Sequence, residues 1–126
     1  MIAETVVDDG AKATGIRRQV LVRGVNETIR SLADGVDVGG EFDLVCECTN
    51  AGCFERLTIS VDDYEALRRF PSRFAVKPGH VDADADRVVD EAGRFVVVVE
   101  KVGPDAEDAI VGDPRRAYAR RRAEAA

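Results

Sequence analysis

Residues 41–60 read Glu41-Phe-Asp-Leu-Val-Cys46-Glu-Cys48-Thr-Asn-Ala-Gly-Cys53-Phe-Glu-Arg-Leu-Thr-Ile-Ser60. Phe42, Leu44, Cys46 and Cys48 alternate with Asp43 and Glu47, the period of a half-buried strand. Thr49-Asn-Ala-Gly52 carries turn residues, and Cys53 to Ser60 reads as the return strand of a hairpin. Every cysteine of the chain lies in this one stretch, so the segment that decides the fold also carries the chemistry.

Upstream, residues 14–33 have helical periodicity. Leu21, Val25, Ile29 and Leu32 recur at steps of four, four and three and define one apolar stripe, with Arg17, Arg18, Arg23, Glu27 and Arg30 off it. Residues 1–13 read as a flexible N-terminus and Gly35 to Gly40 as a loop. Downstream, Ser60 is placed to cap a helix over Val61 to Phe70, with Asp62 and Asp63 in its first turn, where negative charge suits the dipole. Val61, Tyr64, Leu67 and Phe70 are expected to face inward, and Pro71 ends the helix. Arg73 to Lys77 is extended, Pro78-Gly79 turns into His80, and residues 81–86 form an acidic loop. Arg87 to Asp90 and Arg94 to Lys101 read as strands. The unbroken run Phe95 to Val99 marks a central one. Asp105 to Val111 adds a helical turn. The expected fold is α+β: an amphipathic N-terminal helix packed on a small antiparallel sheet with a zinc-tied hairpin. Residues 14–113 make one domain, followed by a basic tail over 114–126.

The chain has 126 residues, one domain's worth, and 45% of them are hydrophobic, which suits a packed core. It has no apolar run of membrane-spanning length and no secretory leader, and with an odd number of cysteines a disulfide framework is not expected. The expected location is the cytoplasm, with no membrane partner. The net charge is −6 and uneven. Residues 114–126 hold five arginines against one glutamate, net +4, which leaves −10 on the body. An acidic body repels phosphate, so any nucleic-acid contact falls to Arg115, Arg116, Arg120, Arg121 and Arg122. The competing reading of the tail is a solvated terminal helix.

Cys46, Cys48 and Cys53, with His80, the single histidine, make a complete donor set for tetrahedral Zn²⁺. Two residues apart on an extended segment, Cys46 and Cys48 leave the same face. The turn brings Cys53 back, and Gly79 frees the backbone to aim His80 inward. Four protein ligands leave no open position, which marks a structural site. The competing reading is three buried free thiols and a surface histidine. Asp82, Asp84 and Asp86 resemble the start of a calcium loop, but Arg87 and Gly93 stand where that loop needs glycine and glutamate. A cysteine–histidine nucleophile would need the same His80. Arg56, Arg68, Arg69 and Arg73, near Tyr64, read as a solvated face.

The ordered set Val25-Asn26-Glu27, Cys46-Glu-Cys48, Cys53, Tyr64-Glu65, Arg73-Phe74-x-Val76-x-Pro78-Gly79-His80, Arg87-Val-Val89, Val99-Glu-Lys101 and Asp113-Pro-Arg115 resembles a family of small, uncharacterised proteins of high-GC Gram-positive bacteria. The resemblance covers about residues 20–116 and implies no activity. The cysteine spacing is also similar to that of the zinc-binding segment following SET methyltransferase domains. Nothing else in the chain resembles a SET domain, so only the capacity of that spacing to hold zinc carries over. The expected role is a non-enzymatic, zinc-stabilised binding or regulatory module, a protein–protein adaptor with helix 16–33 and the tail facing its partner. The alternatives are a nucleic-acid binder using the tail and a redox-sensing zinc–thiolate switch.

Overall fold

The computed structural model describes residues 2–33, 40–92 and 96–115, with side chains from Gly15 onward. A long helix, α1 (Ile2–Leu32), precedes a hairpin of β1 (Glu41–Val45) and β2 (Arg56–Ser60). Helix α2 (Val61–Arg68) leads into β3 (Arg73–Val76), β4 (Asp86–Glu91), β5 (Val97–Lys101) and helix α3 (Pro104–Val111). The architecture is α+β, as expected, with an antiparallel pair β1-β2 and an antiparallel trio in the order β3-β5-β4.

Local signals account for most elements. Ser60 caps α2, its hydroxyl accepting the Asp63 N–H at 3.0 Å. β5 is the central strand of the trio, and Val98 and Val99 are buried, as an unbroken apolar run requires. Phe95 and the Arg94 start of that strand lie outside the described residues. The hairpin strands are shorter than expected. Pairing runs from Glu41↔Ser60 to Val45↔Arg56, so the cysteines lie beyond its end in irregular backbone. The helix begins at Ile2 rather than at residue 14, because a lone Gly10 costs a helix only about 1 kcal/mol.

Phe42, Leu44, Leu57 and Ile59 of the hairpin meet Tyr64 and Leu67 of α2 and Phe74, Val76 and Val99 of the trio in one core. The Phe42 and Tyr64 rings pack edge to face, with centroids 5.3 Å apart. Phe70, expected inside, is exposed, with the Arg73 guanidinium stacked on its ring.

The face of α1 differs from the expectation. Leu21 is 70% exposed and Leu32 84%, while Gln19, Arg23 and Asn26 are fully buried beside Ile16. The reason is what the helix packs against. Backbone in a turn, at a helix end or leaving a strand without a partner must still satisfy its carbonyls. Arg23 donates to Pro71 O and Ala109 O, each at 2.7 Å, and its guanidinium lies over the Phe74 ring. Asn26 pairs with Val45 as a strand would: Nδ2 donates to Val45 O and Oδ1 accepts Val45 N–H, both at 2.9 Å. The buried stripe is therefore a row of donors.

Three further expectations change. Arg68 is buried rather than on a solvated face, whereas Tyr64 is buried as expected. Arg68 pairs with Glu27 at 3.1 Å and with Asp113 at 2.5 Å. Glu47, assigned to the open face of its strand, is buried; its carboxylate accepts from Asn26 Nδ2 and from Ala75 N–H, each at 2.9 Å. Arg115, assigned to a nucleic-acid-facing tail, is tied down to Glu27 and Glu65. Arg116, Arg120, Arg121 and Arg122 lie outside the described residues.

Candidate metal centre

Cys46 and Cys48 extend the line of β1, and Cys46 N–H still reaches Glu55 O at 2.8 Å. The loop then closes tightly. Asn50 Oδ1 accepts the Gly52 N–H at 2.9 Å, and Asn50 O accepts the Cys53 N–H at 3.0 Å. That turn points Cys53 back toward Cys46. From the other side, Lys77 O accepts the His80 N–H at 3.0 Å, with Gly79 at φ 87° in the left-handed region that glycine occupies without strain.

The four predicted residues converge. One ligand atom from each of Cys46, Cys48, Cys53 and His80 lies within 4.8 Å of all the others, and together they can hold a metal ion. His80 Nδ1 is 3.6 Å from both Cys46 Sγ and Cys53 Sγ. All three cysteines are free and buried, and His80 is partly buried. Burial pushes the Cys46 thiol up to about 12; the Lys77 N–H pulls the other way, and Cys48 and Cys53 add to the rise. A thiol so placed becomes a thiolate only when a cation compensates it.

Two residues that sequence reading did not single out complete the centre. His80 Nε2 lies 3.0 Å from Glu55 Oε2, a carboxylate placed to orient the ring with Nδ1 toward the sulfurs. The signal for Glu55 was present: two residues beyond Cys53 on extended backbone, its side chain leaves the same face. Arg18 carries no such signal. Its guanidinium, buried under the loop, donates to Cys46 O at 3.3 Å and to the carbonyls of Cys48 and Cys53, and lies 4.0 Å from Cys48 Sγ. Gln19 Nε2 donates to Glu47 O at 3.0 Å. The long helix thus holds the ligand loop by its backbone.

Carboxylates of the acidic loop are already engaged. Asp82 accepts the Asp84 N–H at 3.1 Å, and Asp86 binds buried Lys101 at 2.7 Å. No helix among the described residues is long and apolar enough to cross a membrane. Compared with family models, curated proteins and solved structures, the chain matches none.

Proposed function

We propose that the protein is a non-enzymatic binding module whose ligand loop is held by one structural zinc ion on Cys46, Cys48, Cys53 and His80. The observation that carries the reading is the convergence of four protein donors within 4.8 Å. A tetrahedral ion with Zn–S of about 2.3 Å and Zn–N of about 2.0–2.1 Å sets sulfur and nitrogen roughly 3.5–3.6 Å apart. The observed sulfur–nitrogen distances are 3.6 Å. Soft thiolates favour zinc over hard oxygen-loving cations, and four protein ligands leave no position for a reacting water. Three thiolates around a divalent ion leave one negative charge, and the buried Arg18 guanidinium lies against that cluster. The Glu55–His80 pair is the carboxylate–imidazole arrangement that orients a ligating histidine.

Three free thiols suit a reducing compartment such as the cytoplasm. The partner under this reading is another protein, since Arg115, one of the five tail arginines, is already engaged by Glu27 and Glu65. The test is metal analysis of the purified chain beside Cys48→Ser. One zinc per chain, lost in the variant, is the expected result. A folded wild-type chain without metal, not stabilised by added zinc, refutes it.

A further inference from the structure

Because α1 buries its donors, it leaves Leu21, Val25 and Leu32 of its apolar stripe outside while Ile29 packs against the core, and Leu21 and Val25 help form one wall of a groove of about 540 Å³. Leu21, Val22 and Val25 line the helix side, with Leu21 70% exposed. Val45, Ala51 and Phe54 line the other side, with Phe54 79% exposed. Ala51 lies between the second and third cysteines and Phe54 directly follows Cys53, so this second wall is the ligand loop itself. An exposed phenylalanine beside exposed leucine and valine is the kind of patch that marks a protein contact. Leu32, 84% exposed, lies beyond the groove on the same helix, past the core-packed Ile29. Eleven residues from Leu21, that is about 16 Å along the axis, three turns of a facing helix.

Within the groove lining itself the charges are basic. The chain carries −6, yet the two charged residues lining the groove are Arg17 and Arg18. Arg18 is committed to the loop carbonyls. Arg17 is exposed and has no ion-pair partner among the described residues. Arg56, paired across the hairpin from Val45, is also exposed and without such a partner. A second copy would bring the same basic lining, with no acid in it to meet the arginines, and a basic segment such as the chain's own tail would be repelled.

We infer that this groove is the docking site for an amphipathic helix of another protein, apolar on one face and acidic on its flanks, and that zinc builds the site by holding the Ala51–Phe54 wall. Leucine-type anchors on the incoming helix fill the space between Leu21, Val25 and Phe54, and its glutamates meet Arg17 and Arg56. The inference rests on the zinc reading above and names the partner chemistry of the same loop.

The test uses the full-length chain, with zinc content measured on every sample before binding. The probe is a fluorescein-labelled synthetic helix of about 18 residues, long enough to hold its shape. It carries leucine on one face and glutamate on the flanks; a twin peptide carries lysine in place of glutamate. The zinc-loaded chain is expected to bind the glutamate helix saturably and the lysine helix at least tenfold more weakly. Phe54→Ser and Leu21→Gln, both at exposed positions, are expected to weaken binding at least tenfold with zinc content unchanged. Arg17→Glu is expected to reduce the preference for glutamate. Three results overturn the inference while leaving the zinc reading intact: no saturable binding by the zinc-loaded chain, equal binding of both helices, or full binding by Phe54→Ser. A zinc-loaded dimer that Leu21→Gln turns into a monomer overturns it too, by giving the groove to a second copy. Undiminished helix binding by a chain free of zinc overturns the metal dependence of the wall, and the zinc reading falls with it.

Discussion

Replacing Arg18 by methionine tests how the long helix supports the ligand loop. Methionine keeps the apolar stem and removes the guanidinium, leaving Cys46 O, Cys48 O and Cys53 O without that donor. Each hydrogen bond from a charged donor contributes about 1.5–3 kcal/mol. Three together give a gross loss of roughly 4–9 kcal/mol by the same figure. Against this stands relief from burying a cation, since Arg18 is only 9% exposed, and that desolvation costs several kcal/mol per ion. The net loss is about 1.5–3 kcal/mol, and at about 1.4 kcal/mol per decade zinc affinity falls roughly 10- to 100-fold. The loss appears in the affinity because a loop that orders only around its ion draws the ordering free energy from binding. Competition with a chromophoric chelator measures the dissociation constant, and Arg17→Met, one residue away and exposed, is the control. A dissociation constant for Arg18→Met within twofold of the wild type refutes the clamp.

Chelation of zinc is expected to abolish the cooperative thermal transition. A structural zinc site contributes roughly 10–16 kcal/mol, against about 5–15 kcal/mol for a whole domain; circular dichroism with and without chelator reads the change, and an unaltered melting curve counts against a structural ion. Gly112→Ala should destabilise the protein by about 1–3 kcal/mol in urea titration, because the added Cβ would sit 2.7 Å from Val20 Cγ1 where α3 crosses α1; equal midpoints would contradict that close approach. For Glu27, burial raises the carboxyl, but the Arg115 hydrogen bond and the Arg68 and Arg115 charges outweigh it, and the net displacement is downward. A lowered folded pKa stabilises above the unfolded value, near 4.5, and the contribution is lost as pH falls through the folded value. The stability gap between wild type and Glu27→Gln is therefore expected to be constant from pH 7 to about 5 and to shrink on further acidification. Denaturant titration across that range decides it, and a gap that widens toward acid reverses the sign.

What the sequence determined by itself is local. The cap at Ser60, the hairpin around its turn, the central valine run and the donor set Cys46, Cys48, Cys53 and His80 each follow from neighbours a few residues apart or from the scarcity of the residue type. Spacing and side-chain chemistry carry such features whatever the surroundings. Which face of α1 turns inward is of another kind. Periodicity ranks residues by hydrophobicity and so points to Leu21 and Leu32, both exposed in the fold. The helix meets irregular backbone from β1 onward, not an apolar sheet face, and unpaired carbonyls there select donors instead: Arg18, Gln19 and Asn26 reach across 28, 28 and 19 residues of sequence. Glu47 is decided the same way, since Asn26 and the Ala75 N–H hold its carboxylate inside against the cost of burial. Only the assembled fold brings those partners together, because no local pattern records which backbone groups will be left without a strand to pair with.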